Sequence, residues 1–194
     1  MRRADLKDTI LITDILTDSF KKNKSIINVT RKGKNQIKRI NSLMKFFFYN
    51  AFYNGDVFLS NDEKACIMML THNKNRFSIF VKLKFIFWNF NLFFNVLGIK
   101  NIKNVLQREK AINKNHPKEP FLHLYYVGVL RNHQGKGIGT NLIKEAINHY
   151  NDYKVIYLET SDKRNIPLYQ KLGFNIVNTH NELELTLYIM KKKI

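Results

Sequence analysis

A strand, a tight glycine turn and a helix follow one another between residues 121 and 150, and this run constrains the fold more than any other part of the sequence. Residues 121–129 are almost continuously apolar, which is typical of a central strand covered on both faces. Gly135, Gly137 and Gly139 then alternate with other residues, and apolar residues recur at helical spacing after them. The glycines let the backbone approach a ligand closely, and the free N–H groups at the helix start favour an anion. The sequence therefore predicts a phosphate or pyrophosphate site at this turn.

The elements on either side of this run predict a mixed sheet with helices packed on it. Helices are expected near the N-terminus, where Asp5 and Asp8 form a partial capping box, and over about residues 36–53. The predicted strands lie at residues 57–60, 65–71, 121–129, 155–158, 174–177 and 183–190. In the last third, strands alternate with the helix after the glycine turn and with a short helix that contains Pro167. This order predicts the α/β (α+β) class.

Two further helical segments are predicted between the strand at residues 65–71 and the strand at residues 121–129. One spans residues 77–97, and the next ends near His116 because Pro117 disfavours the helical conformation before it. In the first segment, polar residues separate a wide apolar face from a narrower one that carries Phe85 and Trp88. A surface helix needs only one apolar face. The second face is expected to meet an acceptor, a second chain or the rest of the core, and a membrane surface is the least favoured partner.

Length, cysteine content and charge limit the class of protein. With 194 residues, the chain is expected to form one domain. The single cysteine, Cys66, excludes an intramolecular disulfide framework and a multi-cysteine metal site, and we expect no metal. Aspartates near the N-terminus exclude a secretory signal, so the expected location is cytoplasmic, without membrane contact. The net charge of +18 fits either a compositional bias with solvated lysines or a site for a polyanion.

Two widespread phosphate-binding motifs fit the turn less well. A dinucleotide fingerprint has an acidic residue about 20 residues after its glycines, and Glu159 lies at about that distance. The helices, hairpin and helical segment that precede the turn do not build the fold of that fingerprint, however. A kinase-type P-loop is excluded because no Gly-Lys-Ser/Thr sequence ends the turn.

Two sequence blocks together give a more specific match. Residues 134–139 read Gln-Gly-Lys-Gly-Ile-Gly after an apolar strand, and residues 168–174 read Leu-Tyr-Gln-Lys-Leu-Gly-Phe. The first block resembles the acyl-CoA motif of the GNAT superfamily of N-acetyltransferases, which is written Arg/Gln-x-x-Gly-x-Gly/Ala. The second block resembles another signature of the same superfamily. The resemblance implies the GNAT acyl-CoA N-acyltransferase fold, a mixed central sheet splayed around the cofactor with helices on both faces. It implies one domain over residues 1–194, and the helical elaboration at about 77–116 departs from the family's minimal form.

The resemblance also implies roles for individual residues. The residues implied to bind acetyl-CoA are Val127, Gly128, Val129, Gln134, Gly135, Lys136, Gly137, Ile138, Gly139, Thr140 and Asn165. The strand N–H groups at Val127 and Val129 are implied to bind pantetheine and to stabilise the oxyanion, and Tyr169 to protonate the departing thiolate. Other interpretations stay open: Gly128 as a small residue beneath a helix, Lys136 as a solvated side chain rather than a 3′-phosphate ligand, Asn165 as a helix cap and Tyr169 as a core aromatic residue.

The motifs assign no base to the acceptor amine, whose ammonium form has a pKa near ~10.4 if it resembles lysine. Glu159, His123, Tyr125, His180 and a chain of water molecules are the candidates, and we place Glu159 in the catalytic set. Strand alternation predicts one face with His123, Tyr125 and Val127, and the opposite face with Leu124 and Tyr126. A covalent acetyl-cysteine at Cys66 is disfavoured because no basic partner is evident beside it.

The sequence thus predicts transfer of an acetyl group from acetyl-CoA to an amine by direct attack. One alternative is an acyl-CoA-binding module without catalytic activity. Another is a transferase associated with nucleic acid, which the charge suggests but the lack of an aromatic-plus-basic recognition motif disfavours. The acceptor amine is not identified by the sequence, and a homodimer stays an open alternative to a monomer.

Overall fold

One mixed sheet of seven strands runs through the computed structural model, which describes residues 1–71, 92–150 and 152–194. The strands are β1 (Arg2–Arg3), β2 (Gly55–Leu59), β3 (Ala65–Thr71), β4 (Phe121–Val129), β5 (Val155–Thr160), β6 (Asn175–His180) and β7 (Leu187–Lys193). Their order in the sheet is β1-β2-β3-β4-β5-β7-β6. β4 and β5 are parallel, and every other neighbouring pair is antiparallel.

Helices cover both faces of this sheet. The α-helices of the described residues are α1 (Thr9–Phe20), α2 (Lys24–Val29), α3 (Gln36–Asn54), α4 (Ile99–Lys114), α5 (Ile138–Asn148) and α6 (Ile166–Lys171), with a π-helical turn at Leu92–Leu97. Side chains alternate between the two faces along each strand. On β3, Cys66 and Met68 face α1 and α3, whereas Ile67 and Met69 face α5. The prediction of a mixed α/β sheet with helices on both faces is confirmed.

A capping box holds the start of the chain against the sheet. Asp5 accepts a hydrogen bond from its own first helical turn, and its backbone N–H donates to Asp8 Oδ2 at 2.8 Å. Arg2 in β1 donates two further hydrogen bonds to the Asp8 carboxylate, at 2.8 and 2.9 Å. The predicted capping box is therefore confirmed, and it is anchored to the edge strand of the sheet.

The parallel pair at the centre of the sheet separates soon after it begins. β4 has nine residues, yet it pairs with β5 only at Phe121–Val155, Leu122–Ile156 and His123–Tyr157. After His123 the two strands diverge, so from Leu124 to Val129 the edge of β4 that faces β5 has no strand partner among the described residues. This fork is the splay that the resemblance implies.

A β-bulge changes the direction of side chains along β4. Met68 of β3 pairs with Tyr126 and Met69 pairs with Leu124, so Tyr125 is an extra residue on β4. Because of this insertion, Tyr125 and Tyr126 both pack on the α1–α3 side, and Val127 packs on the α5 side. The strict alternation predicted from the sequence, with His123, Tyr125 and Val127 on one face, is therefore wrong beyond Tyr125.

Several element boundaries also differ from those predicted. β7 begins at Leu187, so residues 181–186 form a loop rather than the first half of the predicted strand 183–190. Helix α2, which the sequence analysis does not predict, follows α1 directly. Most of the predicted helix at 77–97, including its face with Phe85 and Trp88, lies outside the described residues. Within the described part of the chain, no helix combines the length and hydropathy needed to cross a membrane.

Candidate active site

The glycine turn adopts a conformation that other residues rarely reach. Gly135 and Gly137 have φ of 77° and 81°, the left-handed region that favours glycine. Helix α5 starts directly after them at Ile138 and has neither a side-chain cap nor an acidic residue in its first turn. The first N–H groups of a helix have no partner inside it. They therefore point, with the positive end of the helix dipole, into open space that suits an anion.

The turn forms one wall of a cleft of ≈ 740 Å³, here called the glycine-turn cleft. The predicted ligand residues that line it are Val127, Val129, Gln134, Gly135, Gly137, Ile138, Gly139, Thr140, Asn165 and Tyr169. Gln134 Nε2 donates to the carbonyl oxygen of Val129 at 3.0 Å and so ties the turn to the end of β4. Nine of the eleven predicted cofactor residues thus line the cleft together with the predicted acid Tyr169.

Gly128 and Lys136 are the exceptions. Gly128 faces α1, where a Cβ would lie 3.0 Å from Leu16 Cδ2, so this glycine allows a buried helix to approach the strand. Lys136 is exposed and does not line the cleft. The geometry at these two positions matches the alternatives that the sequence analysis leaves open, a small residue beneath a helix and a solvated lysine.

The free edge of β4 forms another wall of the cleft. The Val129 N–H donates to Ser19 Oγ at 3.4 Å, so it points away from β3. Since N–H directions alternate along a strand, the Val127 N–H lies on the same unpaired edge. This edge offers backbone donors that the sheet does not use.

A second cavity of ≈ 100 Å³, the Glu159 pocket, opens beside the cleft. Glu159 and Tyr125 line it, and Val127, Asn165 and Tyr169 line both this pocket and the cleft. The Glu159 carboxylate is 2.8 Å from His123 Nε2, and both side chains are less than a tenth exposed. The structure therefore brings Glu159 and Tyr169 to one junction, with His123 directly behind Glu159.

Positive groups keep Glu159 ionised despite its burial. Burial raises the pKa of Glu159, but the charge and hydrogen bond of His123 and the charge of Arg108 outweigh it, so the pKa is below its ordinary value. Arg108 belongs to α4, lines the Glu159 pocket and donates to Ser161 Oγ at 2.8 Å. Desolvation and the negative charge of Glu159 raise the pKa of the neighbouring Glu109. Arg108 is not predictable as a site residue from the sequence, because nothing in its helical pattern distinguishes it from solvated cations.

Tyr169 lies in α6, and Asn165 directly precedes that helix. The Tyr169 ring packs edge-on against Phe174, with centroids 6.0 Å apart. Burial, with the charges of Glu159 and Asp162, raises the pKa of Tyr169 to about 12, so its hydroxyl stays protonated at neutral pH. The Asn165 side chain makes no capping hydrogen bond, although this residue precedes α6. Both side chains are therefore free to serve a ligand in the cleft.

The other candidate bases and the cysteine have different surroundings. His180 contacts Glu182 and Asn115 and lines neither cavity. Burial raises the pKa of Tyr125 well above its ordinary value, which makes this phenol a poor proton acceptor. Cys66 is buried, and its pKa is raised to about 12, so no reactive thiolate forms at neutral pH. Within the ranges that the structure describes, no three His, Cys, Asp or Glu side chains cluster as metal ligands would.

Known proteins share both the family pattern and the fold. The Acetyltransferase (GNAT) family model matches residues 99–174. A solved structure described as histone acetyltransferase HPA2 and related acetyltransferase, from Corynebacterium glutamicum, has a TM-score of 0.71 and 18% identity, covering 98% of this chain and 93% of that chain. Arylalkylamine N-acetyltransferase 2 from Aedes aegypti has a TM-score of 0.65 and 15% identity, covering 100% of this chain and 97% of that chain.

A third relative supports the same fold. An N-acetyltransferase from Staphylococcus aureus has a TM-score of 0.56 and 15% identity, and the match covers 98% of each chain. At such identities the structures establish the fold, and the family model identifies the segment from α4 to the end of the second sequence block. Residues 99–174 therefore match the GNAT acetyltransferase family, and the chain as a whole has the fold of these solved acetyltransferases.

Proposed function

We propose that this protein is an N-acetyltransferase that transfers the acetyl group of acetyl-CoA to an amine by direct attack. The observation that carries the proposal is the junction of two cavities. Val127, Asn165 and Tyr169 line both the glycine-turn cleft and the Glu159 pocket. A thioester in the first cavity and an amine in the second would therefore meet at these residues, and direct transfer requires such proximity.

The glycine-turn cleft suits acetyl-CoA in two independent respects. Its first part offers the uncapped N–H groups of α5, which favour a pyrophosphate. Its second part offers the unpaired edge of β4, where the Val127 backbone can bond to an amide of an extended chain. The Val129 N–H can do so only by exchanging its hydrogen bond with Ser19 Oγ. The Val127 N–H is likewise suited to the oxyanion that forms when the thioester carbonyl is attacked.

Glu159 is proposed to accept the proton of the amine. It is the carboxylate that lines the small pocket, and its lowered pKa keeps it anionic, so it attracts an ammonium group. Desolvation of that ammonium lowers the pKa of the amine and brings the two groups closer in proton affinity. His123 contacts the carboxylate from behind and does not line the pocket, so we assign it a positioning role.

Tyr169 is proposed to protonate the departing thiolate. Its hydroxyl has no hydrogen-bond partner among the described residues, and its pKa of about 12 keeps the proton available. A phenol that bonds to the sulfur only as charge develops stabilises the transition state more than the ground state.

Release of CoA thiol over a panel of amines tests the function, and Tyr169→Phe tests the acid. The variant keeps the ring contact with Phe174, so we expect unchanged affinity for acetyl-CoA and a kcat lower by about 10²-fold. Tyr153→Phe, which removes a hydroxyl outside both cavities, is the matched control. Binding of acetyl-CoA without thiol release for any amine would instead support a binding module.

A further inference from the structure

A third cavity, the basic groove, adjoins the Glu159 pocket and has a volume of ≈ 590 Å³. Its cations come from two separate segments of the chain. One segment is the loop before α2 with the start of α2, and the other is the loop between β5 and α6. They are Lys22, Lys24, Lys163 and Arg164, and the loop before β7 closes the groove with Leu185 and Thr186. Small-molecule sites commonly have volumes of about 300–1,000 Å³, so the groove is large enough for a small ligand.

The groove carries more positive than negative charge, with four cations against one carboxylate. Asp162 is the acidic residue that lines it, and Arg164 Nη2 contacts this carboxylate at 2.6 Å. The hydrogen bond from Arg164 also holds the pKa of Asp162 below its ordinary value. No carboxylate of the described residues forms a salt bridge with Lys22, Lys24 or Lys163. The groove therefore presents three ammonium groups to a ligand, which favours anionic oxygens.

The basic groove leads directly to the proposed reaction centre. Asn23, Ser25 and Ser161 line both the groove and the Glu159 pocket. Lys22 and Arg164 also line the glycine-turn cleft, so their charges are shared between the two cavities. Lys24 and Lys163 line the groove but not the cleft. These two lysines therefore distinguish a ligand of the groove from the phosphates of acetyl-CoA.

We infer that the acceptor is a small amine that carries a phosphate or carboxylate group, with the amine at Glu159 and the anion at Lys24 and Lys163. The inference rests on the proposed function and narrows its acceptor class. Opposite ends of one molecule then meet opposite charges: the ammonium meets a buried carboxylate, and the anion meets the groove. An amine without an anionic group leaves the three lysines of the groove without a partner, and it binds more weakly.

Binding to the full chain loaded with CoA tests this without requiring the natural acceptor. Calorimetry would compare O-phosphoethanolamine with ethanolamine, and 6-aminohexanoate with hexylamine, so that each pair differs by the anionic group. At least one anionic member should bind about tenfold more tightly than its partner, since a single charge-assisted hydrogen bond contributes that much. The advantage should shrink as NaCl screens the lysines. Equal or weaker binding of both anionic members would overturn the inference.

The double variant Lys24→Gln/Lys163→Gln locates the anion. It should remove most of the advantage of the anionic member and leave CoA affinity unchanged. Lys45→Gln/Lys110→Gln, which removes the same charge from exposed positions outside the cavities, is the control. Weaker CoA binding in the groove variant, or an equal loss in the control, would overturn the inference. Failure of the wild-type protein to bind CoA would overturn the proposed function as well, so the two failures are distinguishable.

Discussion

Replacing Glu159 by glutamine tests the chemistry of the site most directly. Glutamine has nearly the same shape, and its side-chain oxygen can still accept a hydrogen bond from His123, which lies 2.8 Å from the carboxylate. It cannot take up a proton at neutral pH. Glu109→Gln is the matched control. Glu109 belongs to α4 and lies near Glu159, but it lines none of the three cavities.

The expected loss follows from the ionisation of the amine. With an ammonium pKa near ~10.4, about one amine molecule in a thousand is neutral at pH 7.4. Loss of a positioned base typically costs about 10²–10⁴ in rate, or about 2.7–5.5 kcal/mol of transition-state stabilisation. The variant must use the neutral amine, so its rate should rise about tenfold per pH unit between pH 7 and 10. The defect therefore shrinks as the pH increases.

The wild-type enzyme should depend differently on pH. Glu159 acts as a base only when deprotonated, and its pKa lies below the ordinary value of 4.5. Its active form is therefore present throughout the range above pH 4.5, and it is lost only as the pH falls through the lowered pKa. A fall of the wild-type rate with a midpoint near neutral pH has to come from another group.

Initial rates of thiol release at several pH values provide the assay, with thermal unfolding as the check on folding. Loss of a hydrogen bond to a charged group costs about 1.5–3 kcal/mol of stability. At about 2–4 °C per kcal/mol for a chain of this size, the midpoint should fall by roughly 3–12 °C and leave the protein folded at 25 °C. A folded variant with kcat/KM within threefold of wild type at pH 7.4 would refute the role of Glu159. An equal loss in Glu109→Gln would do the same.

Two further predictions concern the cleft and the N-terminal cap. Gly139→Val should lower CoA affinity about 10²-fold or more, because even its Cβ would lie 3.0 Å from Val129 Cγ2 at the cleft wall. Calorimetry would measure the CoA affinity, with the exposed position Asn141→Ala as the control. A CoA affinity of Gly139→Val within threefold of wild type would contradict the prediction. The pKa of Asp8 is lowered to about 2 from 3.8. Its stabilisation, about 2 kcal/mol, is therefore present above pH 4 and lost as the pH falls towards 2. Urea unfolding of Asp8→Asn and the control Asp14→Asn at pH 7 and pH 3 measures it, and a pH-independent difference for Asp8→Asn contradicts it.

The parts of the site that the sequence predicts are those determined locally. Gly135, Gly137 and Gly173 all have positive φ, and the need for glycine there arises from steric clashes within one residue. The helix after the turn is likewise evident from apolar spacing, and its bounds, Ile138–Asn148, fall within the predicted segment. Such features need no information about distant parts of the chain.

The features that the sequence does not predict depend on pairing between distant segments. The bulge at Tyr125 exists only relative to β3, because one strand alone does not show that it has an extra residue. The position of Arg108 beside Glu159 depends on how α4 packs over β5. Helix α2 has six residues, too few for a helical period to be recognised. The extra residue in β4 explains why the predicted faces are correct up to Tyr125 and wrong afterwards.

The fork between β4 and β5 explains why the reactive carboxylate lies where it does. His123 is the last residue of β4 that pairs with β5, and its partner is Tyr157. Glu159 lies two residues further along β5, so its side chain is on the same face as that of Tyr157. The strands have begun to separate at this point, and the 2.8 Å contact of Glu159 with His123 spans the opening. A base placed earlier on β5 would be covered by the paired sheet and by α4, as Tyr157 is, with its hydroxyl bonded to the carbonyl oxygen of Ile112. On this face of β5, Glu159 is the next position after Tyr157. Its side chain can therefore reach both a buried partner, His123, and the open junction of the cavities.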